Sequence, residues 1–235
     1  MKYAVSALAL AAAVSAAPAS ALVLYTEFGE LPGATFGGSG ISNDKVAITR
    51  ETIGGEDVTL GLTVTPRGPG SSVFVDDPGV FQVGKGTAVG GASNTLGTLW
   101  QLGLYVDIGT LDLNVYDVIL SYDVDPDFNN PGFLTLDDFI VGGVFEDTQH
   151  LLLESLYSFD NFPTVIPPFA TDPFDPDGIA DFDPWATGTY DFVLSVEGAQ
   201  SAAVAVEANV VPAPAAFGLL GLGLLGLGAV RRRRR

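Results

Sequence analysis

The sequence contains no cysteine and a single histidine, His150. The lack of cysteine excludes disulfide bonds, thiolate catalysis and cysteine-ligated zinc sites, so an exported domain would depend on its apolar core for stability. His150 precedes three leucines and is typical of a surface or structural residue. A Ser-His-Asp arrangement is assembled in space, so spacing alone leaves it open, but no Gly-x-Ser-x-Gly element is present. We therefore predict no catalytic residues and a protein that is not an enzyme, with an exported hydrolase as the weakest alternative.

Nucleotide-binding motifs are also missing, and basic residues are scarce outside the two ends of the chain. No Gly-x-Gly-x-x-Gly follows a strand to open a helix, and no Gly-Lys-Ser/Thr occurs. Between the ends, four basic residues (Lys45, Arg50, Arg67 and Lys85) accompany all 28 acidic residues, which gives a formal charge of −24. Such a body should repel nucleic acid and anionic membrane surfaces, and it suits divalent cations, basic partners or solubility in salt.

Long helical periodicity is lacking, and 29 glycines and 15 prolines argue against long helices. Short apolar runs of period two take its place, and in the clearest of them Val58, Leu60, Leu62 and Val64 share one face. The predicted strands are residues 45–53, 58–65, 99–108, 115–124, 139–145, 188–196 and 202–211. We expect the last two to pair across a turn at residues 197–200. The pattern predicts an all-β fold over residues 22–210, an antiparallel β-sandwich of the jelly-roll or immunoglobulin-like type.

The first 21 residues have the pattern of a secretory signal peptide. Lys2 precedes an apolar stretch over residues 4–17, and Ala19-Ser20-Ala21 has the small-x-small form of a signal-peptidase site. The apolar stretch is short for a membrane span. We predict cleavage by signal peptidase after Ala21 and export of the body through the inner membrane.

Residues 211–235 combine an uncharged apolar run with five terminal arginines. The run over residues 213–230 has no charged or hydrogen-bonding side chain. At about 1.5 Å of rise per residue it makes a helix of roughly 27 Å, close to the ~30 Å hydrocarbon core of a bilayer. The arginines at 231–235 would then lie on the cytoplasmic side. We predict a C-terminal transmembrane helix that anchors the exported body in the inner membrane.

The three parts of this tail resemble a PEP-CTERM sorting signal, and are closest to its VPLPA-type variant. They are the Pro-x-Pro element, a Gly/Leu-rich span and an arginine cluster at the extreme C-terminus; the element comprises Val211, Pro212, Ala213, Pro214 and Ala215. The family more often has Glu or Leu where Ala213 stands. The resemblance covers only this tail. It implies that an exosortase, a membrane protease-transpeptidase of Gram-negative bacteria that make exopolysaccharide, recognises the tail and cuts it near the Pro-x-Pro element. The protein would then reach the cell surface or the extracellular matrix.

Aspartates form two clusters with the character of calcium loops. The first, over residues 123–129, places an oxygen-bearing side chain at every second position, but Phe128 and Leu134 stand where an EF-hand needs Gly and Glu. The second, over residues 172–183, contains an Asp-x-Asp-Gly element in a proline-rich loop. We predict calcium at the second cluster, with three candidate ligands: Asp175, Asp177 and Asp181. The alternative for both clusters is a solvated acidic loop.

Two tryptophans could belong to the core or contact a glycan. Trp100 lies within a predicted strand and is expected in the core, whereas Trp185 lies at the end of the proline-rich loop and could stack on sugar rings. The sequence therefore predicts an exported, surface-sorted protein with a structural or adhesive role in the cell envelope or exopolysaccharide matrix. The alternative is a carbohydrate-binding module that uses Trp185.

Overall fold

The computed structural model describes residues 24–68, 70–90, 95–123, 131–149 and 185–211, and these residues form strands and loops with no α-helix. The predicted all-β class is confirmed. The strands are β1 (Glu27–Gly29), β2 (Val46–Ile53), β3 (Glu56–Pro66), β4 (Val73–Asp77), β5 (Val80–Gly84), β6 (Thr87–Gly90), β7 (Thr95–Thr98), β8 (Trp100–Asp107), β9 (Asp117–Asp123), β10 (Pro131–Thr135), β11 (Val144–Gln149), β12 (Gly188–Glu197) and β13 (Ala202–Val211).

The strands form two large sheets, an arrangement consistent with a β-sandwich. One sheet has the order β1-β2-β3-β8-β11 and the other the order β10-β9-β12-β13-β5-β4, while β6 and β7 form a separate hairpin. Within the described residues every pairing of these strands is antiparallel except that of β13 with β5. The prediction of a purely antiparallel fold is therefore wrong at this pair, because the connection from β5 to β13 spans much of the chain and leaves no local signal.

Alternation along the strands places the core between the two sheets. The face of β3 predicted from the sequence is buried throughout, with Val58, Leu60, Leu62 and Val64 each at most 3% exposed. Trp100 is also in the core, as expected, and its ring makes an edge contact with Phe192 at 6.1 Å between centroids. Burial of apolar area of this kind is the main favourable term in folding.

Residues at the start of the described chain join the two sheets along one side. The backbone of Leu24 exchanges two hydrogen bonds with Ala205 in β13, at 2.7 and 3.3 Å. Three residues further on, β1 pairs with β2 in the other sheet. The hydroxyl of Thr49 in β2 donates to the carbonyl oxygen of Ala203 at 2.9 Å. Main-chain hydrogen bonds and the Thr49 hydroxyl therefore join the two sheets along this side of the sandwich.

A loop between β1 and β2 covers the outer face of the five-stranded sheet. Leu31, Ala34 and Phe36 pack there against Val46 and Ile48 in a second apolar cluster. The Glu146 carboxylate on β11 anchors this loop, since its Oε2 atom accepts hydrogen bonds from both donors of Thr35 and from the Phe36 amide at 2.5–3.0 Å. The five-stranded sheet is consequently buried on both faces near this loop.

The strand predicted over residues 139–145 is wrong in its first half. Asp137–Phe139 forms a 3-10 turn, and β11 begins only at Val144. Gly142 and Gly143 have φ angles of 67° and 86°, in the left-handed region that glycine adopts without a steric penalty. The two glycines make a turn, so the apolar residues around them do not form one continuous strand.

Candidate functional site

The predicted site residues fall partly inside and partly outside the described residues. Asp175, Asp177 and Asp181, the candidate calcium ligands, lie outside, and so do Pro212, Ala213, Pro214 and Ala215 of the candidate sorting element. Val211, its first residue, is the last residue of β13 and pairs with Gly84. Trp185 is described in full, and the structure brings it against the turn between β5 and β6.

Trp185 is an exposed aromatic side chain that rests on a glycine. Its side chain is 59% exposed. Three atoms of its six-membered ring, Cη2, Cζ3 and Cζ2, lie 3.1, 3.2 and 3.6 Å from the point where a Cβ atom on Gly86 would stand. Any side chain at position 86 would therefore meet the indole ring. The φ angle of Gly86, +114°, also favours glycine.

The turn that carries Gly86 is hydrogen-bonded to Leu99, just before β8, and Leu99 is in turn bonded to Arg67, just after β3. The Gly86 carbonyl oxygen accepts a hydrogen bond from the Leu99 amide at 3.2 Å, and the Leu99 carbonyl oxygen accepts one from the Arg67 amide at 2.9 Å. The Arg67 guanidinium, 3% exposed, donates to the Ala88 carbonyl oxygen at 3.0 Å. Burial lowers the pKa of Arg67 from its usual value. We call Trp185, Gly86 and this supporting turn the Trp185 platform.

A second polar feature, which the sequence analysis did not find, is a pair of carboxyl groups on the outer face of the six-stranded sheet. Asp191 on β12 lies directly opposite Glu207 on β13. Glu207 is 6% exposed and accepts a hydrogen bond from the Asn209 side chain at 3.1 Å. The Oδ1 atom of Asp191 is buried and has no hydrogen-bond partner. The two acids are thus held together at a site with little water.

Burial and mutual repulsion change the protonation of this pair. Burial raises the pKa of Asp191 to about 6, and the charge of Glu207 adds to the increase. Burial likewise raises the pKa of Glu207. Both shifts favour the neutral carboxyl form, because a charged group in a poorly solvated site beside a like charge is unfavourable. Below about pH 6 the pair would hold one or two protons.

The side of each strand on which these two acids lie could be predicted from the sequence, but their pairing across the two strands could not. Asp191 and Glu207 both fall on the side of their strands opposite to the core residues. The strands predicted over residues 188–196 and 202–211 do pair across this turn, and the structure pairs Val196 with Ala202. The sequence analysis set no register for the hairpin, and a shift of one residue would give each acid a different partner, so the two acids could not be placed opposite each other from the sequence.

The described residues contain no group of three or more His, Cys, Asp or Glu side chains arranged to hold a metal ion. In the same part of the chain, no helix is long and apolar enough to cross a membrane. Comparison with protein-family models, with curated proteins and with solved structures found no match.

Proposed function

We propose that this chain is an exported protein that is sorted to the cell surface, with a structural or adhesive role in the cell envelope or exopolysaccharide matrix. The observation that carries the proposal is the tail over residues 211–235, in which a Pro-x-Pro element, an apolar run and an arginine cluster follow one another. Val211 is still paired within β13, so the tail begins directly at the end of the last strand. An exosortase acting on this tail would work close to the folded body.

The signal peptide, the membrane helix and the charge of the body belong to the same proposed route of export and surface sorting. Signal peptidase would cleave after Ala21, three residues before Leu24 joins the sandwich. A helix over residues 213–230 would hold the protein in the inner membrane until processing. The body would be a sandwich of the jelly-roll or immunoglobulin-like type, and its formal charge of −24 would keep it soluble outside the cell and away from nucleic acid.

Deletion of the tail tests the proposal. In a host that contains an exosortase, full-length protein should be found with the cell envelope and matrix, and a variant lacking residues 212–235 should be released to the medium. A second variant with alanines at 231–235 keeps the apolar run and should accumulate uncut in the membrane, because the positive cluster that orients the span is gone. Equal surface retention of all three proteins would contradict the proposal.

A second candidate function is carbohydrate binding, and Trp185 is the observation that favours it. A tryptophan that is 59% exposed offers a large apolar surface to a partner, since aromatic side chains carry much of the apolar contact area of binding sites. Binding of polysaccharide by the full-length protein, weakened by Trp185→Ala, is the expected result. This function is compatible with a role in the matrix.

A further inference from the structure

We propose that the Trp185 platform binds one pyranose ring of a neutral polysaccharide, and that Gly86 is the residue that positions the indole. The inference rests on the carbohydrate-binding function proposed above and adds to it the class of sugar and a second residue.

The first argument is that the indole is supported by the backbone before a sugar binds. The ordering of a free side chain costs binding free energy, so a supported ring binds at a lower cost. Trp185 lies against Gly86, and the Gly86 carbonyl oxygen in turn accepts a hydrogen bond from the Leu99 amide. The buried Arg67 ties the neighbouring strand to the same support. The platform is therefore built on the core of the sandwich.

The second argument distinguishes Trp185 from the other exposed aromatic side chains. Phe74 and Phe133 are 63% and 67% exposed, but they lie on β4 and β10, the two edge strands of the six-stranded sheet. Their positions follow from strand alternation at a sheet edge, where scattered exposed apolar residues are ordinary. Trp185 precedes β12 and lies over a glycine whose lack of a side chain leaves room for the ring.

The third argument sets the class of sugar. A pyranose presents a patch of C–H groups on a face free of axial hydroxyl groups, and this patch packs against the face of an indole. The body carries 28 acidic and four basic residues, so a polyuronate or sulfated chain would be repelled as it approached. Lys85 precedes Gly86 in the chain and the buried Arg67 supports the same turn, but two basic residues are too few to reverse the field of 28 acidic ones. A neutral polymer meets no such barrier.

The two tryptophans make the test direct, because Trp100 is 1% exposed and Trp185 is 59% exposed. Full-length protein is titrated with hexasaccharides of glucose, galactose and mannose, and with a hexauronate, while tryptophan emission and its quenching by acrylamide are recorded. At least one neutral hexasaccharide should protect Trp185 from acrylamide and shift its emission to shorter wavelength, and the hexauronate should not. In Trp185→Ala the remaining emission, from Trp100, should show no response, and affinity for the neutral sugar should fall by about tenfold or more.

Substitutions at two glycines separate the positioning of the indole from the folding of the protein. Gly86→Ala places a Cβ atom 3.1 Å from the indole, so the free protein should show stronger acrylamide quenching of Trp185 and weaker sugar binding. Gly55→Ala is the matched control, since Gly55 has a φ angle of +91° and no atom within 4 Å of its Cβ position. It imposes similar backbone strain and should leave sugar binding unchanged. Phe133→Ala should also bind as the wild type does.

Each contrary outcome has a defined meaning. Sugar binding that survives Trp185→Ala would overturn the platform and leave carbohydrate binding elsewhere on the protein. Preference for the hexauronate would overturn the class of sugar. If no hexasaccharide alters either tryptophan, the platform and the carbohydrate-binding function both fail, whereas tail-dependent surface retention, measured separately, would stand.

Discussion

Asp191 and Glu207 illustrate how a single cross-strand pair can make stability depend on pH. Their side chains face each other on the two central strands of the six-stranded sheet, and the residues beside them on that face include Val80, Val193 and Asn209, none of which is basic. With both groups ionised, the native state holds two like charges in a poorly solvated place that the unfolded chain would release to water. The pair therefore opposes folding at neutral pH.

The direction of the pH dependence follows from the raised pKa values. A carboxyl whose pKa is about 6 in the folded state and near 4 in the unfolded state binds more protons when folded between these values. Its contribution to stability is therefore full below about pH 4 and is lost as the pH rises through 6. We predict that Asp191→Asn increases the free energy of unfolding by about 1–2 kcal/mol at pH 8, allowing for screening at a half-buried site, and by little at pH 4.

Urea unfolding of wild type and variant at several pH values measures this difference. The general repulsion within an acidic body acts on both proteins, so subtraction isolates Asp191. Asp112→Asn is a control of opposite sign, because hydrogen bonds from the Asn114 amide and side chain lower the pKa of Asp112. Its contribution to stability is lost as the pH falls. An Asp191 variant that is equally stable relative to wild type at pH 4 and pH 8 would contradict the prediction.

At the scale of the strand, period-two alternation identified the long strands and missed the short ones. The strands β2, β3, β8, β9, β12 and β13 were all predicted to within a few residues. The strands β1, β4, β5, β6, β7 and β10 have only three to five residues each, too few for alternation to stand out. Their existence depends on neighbours distant in the chain, as in the parallel pairing of β5 with β13.

The candidate site was also predictable only in part, because its contacts join residues that are distant in the chain. The sequence placed Trp185 at the end of a loop, but nothing local could place it over Gly86, which lies almost a hundred positions earlier. The close approach of a ring to a backbone is a tertiary contact. The outer cover of the five-stranded sheet, fixed by Glu146 and Phe36, was missed on the same grounds.

Gly103 and Gly61 lie in the five-stranded sheet under the loop between β1 and β2, and their substitution tests how tightly this loop packs on the sheet. A Cβ atom on Gly103 of β8 would lie 2.8 Å from the Thr63 methyl and 3.0 Å from the ring of Phe36. Thr63 is β-branched and Phe36 is fully buried, so neither can move freely. We predict that Gly103→Ala lowers the free energy of unfolding by about 1–3 kcal/mol, the usual cost of overpacking.

Gly61 of β3 is the matched comparison. Its Cβ atom would come within 2.9 Å of the Leu31 Cδ2 atom, the end of a side chain with several rotamers, and would lie 3.2 Å from the Val46 Cγ1 atom, farther than either close contact of Gly103. Gly61→Ala should therefore cost less than Gly103→Ala in urea unfolding. An equal or reversed order would show that the loop over residues 31–43 adjusts as a whole and does not fix Phe36 against the sheet.

At the scale of the whole molecule, the main feature is the excess of negative charge on the body. The body has a formal charge of −24 and no disulfide, so repulsion among carboxylates is opposed only by the apolar core and by ions from solution. Monovalent salt should stabilise the fold by screening. A divalent cation can do more if some carboxylates converge on it, and the described residues contain no such group. The prediction of calcium binding concerns Asp175, Asp177 and Asp181, which lie outside the described residues.

Thermal unfolding of the full-length protein in EDTA, CaCl₂ and MgCl₂ at equal ionic strength tests that prediction. An ion that binds only the folded state raises its stability, by about 2.7 kcal/mol at 100 times the dissociation constant. We expect calcium to raise the unfolding midpoint and magnesium to do so much less, because Mg²⁺ gives up its water ligands reluctantly. Replacing Asp175, Asp177 and Asp181 with Asn should abolish the calcium effect, whereas the same change at Asp125 and Asp127 should leave it. If calcium and magnesium stabilise the protein no more than sodium does, the aspartates of the loop are solvated acid, and the ions act on the charge of the molecule as a whole.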